Sequence, residues 1–266
     1  MKSFITLQSK KMAVMALAVG LMATSCNKDK DAPALPAATS MEFSSSSLSG
    51  SNKTEGVAFE LVSLGIAYWN SVIALNIAVP VASFKEAFNH EAKYSSKDKD
   101  YVWSYDVVVA GIKYTANLHG KVDGDNVAWK MLVSQQGGFQ DYEWYTGTSA
   151  VDGASGKWKL NKGATSSTAP YLTIDWTNNS STSTHSTKFT LSDANDASFG
   201  NYINYYVNTD AEFNGHYDVY DAVKKELIQI MWSTADRHGK VIGADLKSSC
   251  WDSATNDVNC DLSFKL

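Results

Sequence analysis

Motifs for metal binding and catalysis are absent from this sequence of 266 residues. Its five histidines include no His-x-x-x-His pair, so the helical spacing of many zinc sites does not occur. The Gly-x-Ser-x-Gly sequence that carries the nucleophile of many serine hydrolases is also missing. Asp123–Asp125 and Asp193–Asp196 lack the terminal glutamate of a calcium-binding loop. We therefore predict a protein that is not an enzyme and that has no catalytic residues, metal site or cofactor.

Proline is scarce, with four residues, and basic side chains are fewer than acidic ones. Because no proline-rich stretch interrupts the later chain, we predict one β-rich domain over residues 56–266. The formal net charge is −5, and it becomes −8 without residues 1–25, which carry three lysines and no acidic residue. Such an acidic chain is disfavoured as a partner of nucleic acid or of anionic membrane surfaces.

Residues 1–25 have the features of an export signal. Lysines precede a run of small and apolar residues, Met12 to Met22, that is too short to span a bilayer. Ala23 to Ser25 is a small-residue cleavage region, and Cys26 follows it directly. The pattern resembles a bacterial lipoprotein signal peptide of the Bacteroidota type, in which cleavage leaves Cys26 as a lipidated N-terminus that carries palmitate. The alternative is an ordinary secretory signal in which Cys26 is incidental.

This resemblance implies a lipoprotein of the cell envelope, attached to the outer membrane through the lipid on Cys26. The lysine and aspartate run Asn27–Asp31 is similar to the surface-export tag of such lipoproteins, which implies display on the cell surface. The alternative for this run is a solvated tether. Residues 26–55 are rich in Ala, Pro and Ser, a composition that predicts a flexible tether.

The segment from Gly56 to Val79 is the one long stretch with helical spacing of apolar residues. Apolar side chains cover nearly its whole circumference, which indicates a buried helix that Pro80 ends or kinks. A membrane span is the alternative, but Glu60 and Asn70 would lose hydration in hydrocarbon at considerable cost. One apolar stripe consists of Phe59, Val62, Ile66, Trp69, Ile73 and Ile77.

After this helix the chain alternates apolar and polar residues in short runs between turn residues. We predict about eleven strands in an antiparallel meander, from Tyr101–Val109 to Val241–Ser248, with tight turns at Ala110–Gly111 and Asp123–Asp125. Because so long a sheet twists and curls, the predicted fold is mainly β (α+β), an open half-barrel curled around the N-terminal helix. This architecture resembles the open barrels of periplasmic lipoprotein carriers and related lipid-binding lipoproteins.

Cys250 and Cys260 are the two cysteines that remain beside Cys26. In an exported chain, such a pair predicts a disulfide. The residues between them are polar and turn-forming, which brings the cysteines near facing ends of a terminal hairpin. A zinc pair is the alternative, but it needs two further ligands, and only the distant His238 is on offer.

Aromatic residues are abundant, with eight tryptophans and thirteen tyrosines. Core and cross-strand packing is one interpretation. The other is a binding surface, because aromatic rings stack on sugars and line sites for lipids. The candidate ligand-binding residues are Tyr202, Tyr205, Tyr206, Tyr217, Tyr220 and Trp144.

Three functions are compatible with these features. The first is a binding protein that holds a small apolar or amphiphilic ligand between sheet and helix. The second is a glycan- or protein-adhesion module that uses exposed aromatic side chains. The third, a hydrolase, has no motif in its favour and is the least expected.

The lipid anchor leads to the first testable prediction. Cys26→Ala should move the protein from the membrane fraction to the soluble fraction, because it removes the atom that carries the lipid. Alkaline carbonate washing of membranes, followed by immunoblotting, measures the change. Retention of the variant on washed membranes would show that another part of the chain anchors it.

Overall fold

The computed structural model describes residues 31–43, 57–164, 170–252 and 256–260, so the predicted signal peptide and Cys26 lie outside the described residues. The described chain is mainly β. Its helices are η1, a 3-10 helix (Ala38–Met41), and α1 (Val57–Ala87). The strands are β1 (Lys93–Ser95), β2 (Asp100–Val109), β3 (Ile112–Asp123), β4 (Asn126–Gln135), β5 (Tyr142–Ala150), β6 (Ser155–Asn161), β7 (Pro170–Asn179), β8 (Thr184–Leu191), β9 (Tyr202–Val207), β10 (Gly215–Asp221), β11 (Glu226–Trp232), β12 (Gly239–Ile242), β13 (Ser248–Trp251) and β14 (Asp257–Val258).

The strands form a single antiparallel sheet in which the spatial order is the order in the chain. The predicted antiparallel meander is therefore confirmed, and the described strands leave the sheet open, with β1 and β14 as its edges. Ala110 and Gly111 form the two-residue turn between β2 and β3, with φ angles of 50° and 79°. Two positive φ angles match the twist of the flanking strands, as in a type I′ hairpin.

The sheet contains more strands than the alternation of the sequence predicts. β1 lies in a charged segment that has no alternating pattern. The predicted strand Val241–Ser248 is in fact two strands, β12 and β13, separated by a turn. In this turn the Asp245 carboxylate accepts a hydrogen bond from the Lys247 N–H at 3.1 Å, and Leu246 has a φ of 62°. Such local bonds stabilise a turn against a continuous strand. The expected final strand, residues 261–265, lies outside the described part of the chain.

One side of α1 packs into the core. Every described member of the predicted apolar stripe, from Val62 to Ile77, is less than 5% exposed. The other side reaches solvent, since the side chain of Tyr68 is 51% exposed. The helix is thus buried on one side, whereas the sequence predicts burial nearly all round. An open sheet has one inner face, so only the side of α1 that contacts this face is buried.

Pro80 lies inside α1 and does not end it. Within the described residues, no single helix is long and apolar enough to cross a membrane. The pair Gly65–Ile73 and Ile77–Ala87, bent by 70° at a short break, has that length and composition only when taken together. The break precedes Pro80, whose ring removes a backbone donor and crowds the turn before it.

Large aromatic side chains fill the inner face of the sheet, defined here as the face that carries Trp129 and Tyr217. Their tightly buried neighbours include side chains from α1, so helix and sheet share one hydrophobic core. The largest side chains that are less than 2% exposed are Trp129, Trp158, Trp232, Trp251, Tyr145, Tyr217, Phe84 and Phe189.

Part of the segment predicted as tether packs against this core. Met41 is fully buried, and the hydroxyl of Ser40 accepts a hydrogen bond from the Trp158 indole N–H at 3.1 Å. The ring of Phe43 meets that of Phe189 edge-on, with centroids 5.7 Å apart. Met41 and Phe43 are thus large apolar side chains with buried partners in an otherwise Ala- and Ser-rich stretch. The average composition of the segment does not reveal this packing.

Cys250 and Cys260 form the predicted disulfide, with their Cα atoms 5.2 Å apart. That distance lies in the usual range for such bonds. Cys250 belongs to β13 and Cys260 follows β14, so the bond joins the last strand to its neighbour. The bridge therefore limits fraying at this edge of the sheet.

Glycines and tryptophans face each other across neighbouring strands. The cross-strand pairs are Gly120–Trp129, Gly147–Trp158, Gly156–Trp176, Gly215–Trp232 and Gly239–Trp251. A Cβ atom built on any of these five glycines would lie under 3 Å from the partner's ring. Each indole thus occupies the volume above a glycine, and glycine in a strand interior often marks such close approach and strong bending.

The glycine–tryptophan contacts generate the second prediction. Gly147→Ala should lower the free energy of unfolding by about 1–3 kcal/mol, because the new methyl group overlaps Trp158 and the backbone of β6. Gly163→Ala is the matched control, since a Cβ there meets nothing within 4 Å, and it should change stability by under about 0.5 kcal/mol. Urea titration followed by tryptophan fluorescence measures both. Equal stability of the two variants would contradict the tight contact.

The helix generates the third prediction. Trp69→Ala should cost about 3–5 kcal/mol of stability, because Trp69 is 2% exposed and its removal leaves a cavity in the core. The adjacent, half-exposed Tyr68 is the control, and Tyr68→Ala should cost about 1 kcal/mol or less. A loss of under 1 kcal/mol for Trp69→Ala in denaturant titration would mean that α1 does not contribute to the core.

Candidate ligand-binding surface

The outer face of the sheet, opposite the core, carries an ordered group of polar and aromatic residues on β6 to β10. The strand register places one residue from each strand in a line, which we call the polar row. Because side chains alternate between faces along a strand, all of its members lie on the same face. The polar row consists of Lys157, Asp175, Lys188, Asn204 and Asp218.

The members of the polar row bond to one another and to their neighbours. Lys157 and Asp175 form an ion pair at 2.8 Å. The amide oxygen of Asn204 accepts a hydrogen bond from the Ser186 hydroxyl at 3.0 Å. Gln229 on β11 donates a long hydrogen bond, 3.4 Å, to Asp218. These bonds hold the polar side chains in place.

An aromatic pair flanks the polar row on one side. Tyr202 and Tyr220 are cross-strand neighbours whose rings stack with centroids 5.1 Å apart and an interplanar angle of 24°. The ammonium group of Lys188 lies 3.8 Å from the centroid of the Tyr202 ring. A cation at this position over the ring is attracted by the negative charge of the π face. The contact fixes both Lys188 and Tyr202.

A second aromatic pair flanks the row on the other side. The rings of Tyr206 and His216 stack almost parallel, at 4.4 Å and 2°. His216 Nε2 lies 2.8 Å from the Phe213 carbonyl oxygen and 3.0 Å from the Asn208 amide nitrogen. The imidazole is therefore held in one orientation from the neighbouring turn.

Burial shifts the pKa values of Tyr202, Tyr206 and His216. It raises the pKa of Tyr202 and of Tyr206, and the negative charge of Asp218 raises each pKa further. Burial lowers the pKa of His216, an effect that the bond to Phe213 partly opposes. Near neutral pH the surface therefore presents neutral phenols and a neutral imidazole, all of which can give or accept hydrogen bonds.

Two shallow, open depressions lie along the polar row, and Tyr206 is the member of the aromatic pairs that lines one of them. They measure about 370 and about 440 Å³ and share Thr177, Ser186 and Asn204 as lining residues. Short Ser and Thr side chains form their floor, and the longer side chains of Lys188 and Tyr206 border them. The depressions arise from this difference in side-chain length on an otherwise continuous sheet.

The six candidate residues separate into two groups. Tyr202, Tyr206 and Tyr220 are half-buried on the outer face. Tyr205, Tyr217 and Trp144 are less than 10% exposed and belong to the core. The division on β9 follows from the alternation of side chains along an extended strand. Tyr205 is three residues from Tyr202, so the two side chains lie on opposite faces of the sheet.

Sequence reasoning missed the residues between the aromatic pairs: Asp175, Ser186, Lys188, Asn204 and Asp218. They are distributed over four strands, with Ser186 and Lys188 together on β8, and nothing within one run distinguishes any of them from an ordinary solvated side chain. The signal that links them is the register of β7 to β10, which brings oppositely charged residues side by side. Cross-strand pairing of opposite charges is favourable, and a search for it across neighbouring runs would have identified the row.

The described residues place no three His, Cys, Asp or Glu side chains where they could together hold a metal ion. His119 and Asp100 do form a close pair, with Nδ1 and Oδ2 2.8 Å apart, away from the polar row on β3 and β2. A hydrogen-bonded carboxylate orients an imidazole in hydrolases, but it serves equally to satisfy a part-buried histidine.

Comparison with known proteins adds no family assignment. No protein-family model, no curated protein sequence and no solved structure matches the chain.

Proposed function

We propose that this protein is a lipid-anchored protein of the bacterial outer membrane that binds glycans on the outer face of β6 to β10. The observation that carries the proposal is the polar row with an aromatic pair on either side of it. Sugar rings combine an apolar face of C–H groups with a rim of hydroxyl groups. Aromatic rings stack on the apolar face, and carboxylate, amide and ammonium groups form hydrogen bonds with the hydroxyl groups.

The interior offers less support for a ligand. We infer that the sheet curls around α1 as a half-barrel, because the helix lies close to β2 and β3 at one edge and to β13 and β14 at the other. In that arrangement the space between sheet and helix is occupied by large aromatic side chains, among them Trp158, Tyr145 and Phe84. A ligand-binding surface on the outer face requires no displacement of this core.

A small amphiphilic ligand between sheet and helix is the second candidate. One observation favours it: the hydroxyl of Tyr145 and the indole nitrogens of Trp144, Trp176 and Trp232 are buried with no hydrogen-bond partner among the described residues. Buried polar groups usually have partners, so the polar group of a ligand in the interior would satisfy them. Native mass spectrometry of protein purified from its own cells would reveal such a ligand as added mass.

The negative charge of the chain argues against nucleic acid and anionic lipids as binding partners. With a net charge of −8 after removal of residues 1–25, the protein would repel nucleic acid and anionic lipid headgroups. The membrane is then a partner through the lipid on Cys26 alone. Attachment by a lipid and tether leaves the sheet free to meet glycans at the cell surface.

The proposed glycan site generates the fourth prediction. Tyr206→Ala should weaken binding to a neutral polysaccharide about tenfold, a loss of about 1.4 kcal/mol, because it removes one stacking surface. Affinity gel electrophoresis against glucans, xylans and mannans measures the change. Tyr94→Ala is the control, since Tyr94 on β1 is 56% exposed but lies outside the site.

Two results would contradict the proposal. One is an absence of retardation of the wild-type protein in every polysaccharide gel. The other is binding that survives both Tyr206→Ala and Tyr202→Ala while circular dichroism shows both variants to be folded.

A further inference from the structure

The two depressions on the outer face form one continuous trough. The larger begins at Ser155 on β6, the smaller reaches Asp218 on β10, and the shared residues Thr177, Ser186 and Asn204 lie between. Neighbouring strands are about 4.8 Å apart, so a trough over five strands is about 19 Å long. This length exceeds one sugar ring and corresponds to several linked rings.

The aromatic pairs are also too far apart to serve one sugar. Tyr202 and Tyr206 are four residues apart on β9, which corresponds to about 13 Å along an extended strand. A single ring cannot stack on both. This distance runs along the strand and thus across the trough, so a chain that follows the trough passes the ring of Tyr206, which lines it, and not that of Tyr202.

The ends of the trough carry no closing wall. The floor at the β6 end is Ser155 and Gly156, and both depressions are largely open to solvent. A site for the end of a glycan chain would enclose the terminal sugar. An open trough admits a chain that continues in both directions.

The charges within the trough are balanced. Lys157 is paired with Asp175, and the ammonium group of Lys188 lies over the Tyr202 ring. Asp218 accepts from Gln229 and remains beside the neutral Asn204. With no excess of positive charge here, and a net negative charge on the chain, neutral sugars are favoured over acidic ones.

From the length, the open ends and the balanced charge of the trough, and resting on the proposed glycan binding, we infer that the trough takes an internal stretch of a long neutral polysaccharide. Its ligand is therefore a segment of several sugars within a chain, in contrast to a single sugar or a chain end. The polar row would meet the hydroxyl groups along the chain, and the ring of Tyr206, which lines the trough, would stack on one of its sugars.

The test is the dependence of affinity on chain length. Isothermal titration calorimetry of the full exported protein would use neutral gluco-, xylo- and manno-oligosaccharides, from the disaccharide to the heptasaccharide. We expect affinity for the preferred series to rise at least tenfold over this range and then to level off. Chemical reduction of the terminal sugar of the longest oligosaccharide should leave its affinity within twofold.

A matched pair of variants tests the position of the chain. Thr177→Trp places a large side chain on the shared floor and should lower affinity for the longest oligosaccharide at least tenfold. Thr115→Trp makes the same change at an exposed threonine of β3, outside the trough, and should leave affinity unchanged. Circular dichroism of both variants confirms that each is folded.

The outcomes separate this inference from the proposed function. If a disaccharide binds as tightly as the heptasaccharide and Tyr206→Ala weakens both, the protein binds glycans but the extended-chain inference is overturned. If the protein prefers an acidic polysaccharide, and this preference is lost at high salt, the inference that the ligand is a neutral polysaccharide is overturned. If no glycan of any length binds the folded protein, the proposed function fails, and the inference fails with it.

Discussion

Contact between tryptophan rings and the glycines of neighbouring strands is the constraint on which the rest of this structure depends. Two series of such contacts cross the sheet: Gly120–Trp129–Gly147–Trp158 over β3 to β6, and Gly215–Trp232–Gly239–Trp251 over β10 to β13. Each glycine leaves the volume that one indole requires, so a large ring lies close to the backbone of the next strand. Glycine is unfavourable in a strand by itself, and the packed ring offsets that weakness.

This packing also determines which face of the sheet is available for recognition. The indoles fill the inner face, where their neighbours include η1 and α1. The outer face carries short hydroxyl side chains between longer charged and aromatic ones, which produces depressions without any gap in the core. The core and the proposed binding surface therefore use alternate residues of the same strands. Tyr205 and Tyr206 are adjacent in the chain, yet one belongs to the core and the other to the proposed site.

The sequence is sufficient to predict the type of structure. The spacing in α1, the alternation after Tyr101 and the cysteine pair each depend on residues close together in the chain, and each of these patterns identifies its element or bond. The burial of only one side of α1 and the packing of Met41 and Phe43 are different, because they depend on which distant residues come to lie beside them.

The candidate site can likewise be predicted from the sequence only in part. The three outer-face tyrosines can be named from the sequence, because an aromatic excess is visible in the composition. Lys188, Asn204 and Asp218 cannot, because their importance lies in a cross-strand register that spans β8 to β10. The turn at Asp245 shows how local the deciding interactions can be: a few hydrogen bonds between Gly243 and Lys247, one of them from the Asp245 side chain, separate two strands within an alternating run.

The sequential order of the strands has a consequence for biogenesis. Every described strand pairs with its neighbours in the chain, so pairing can advance from β1 in the direction of synthesis without waiting for a distant partner. Contacts between segments close in sequence form with little loss of chain entropy. The disulfide joins the last of these elements, and it can form only where the environment is oxidising. Covalent closure of this sheet edge therefore depends on the redox state of the compartment in which the chain folds.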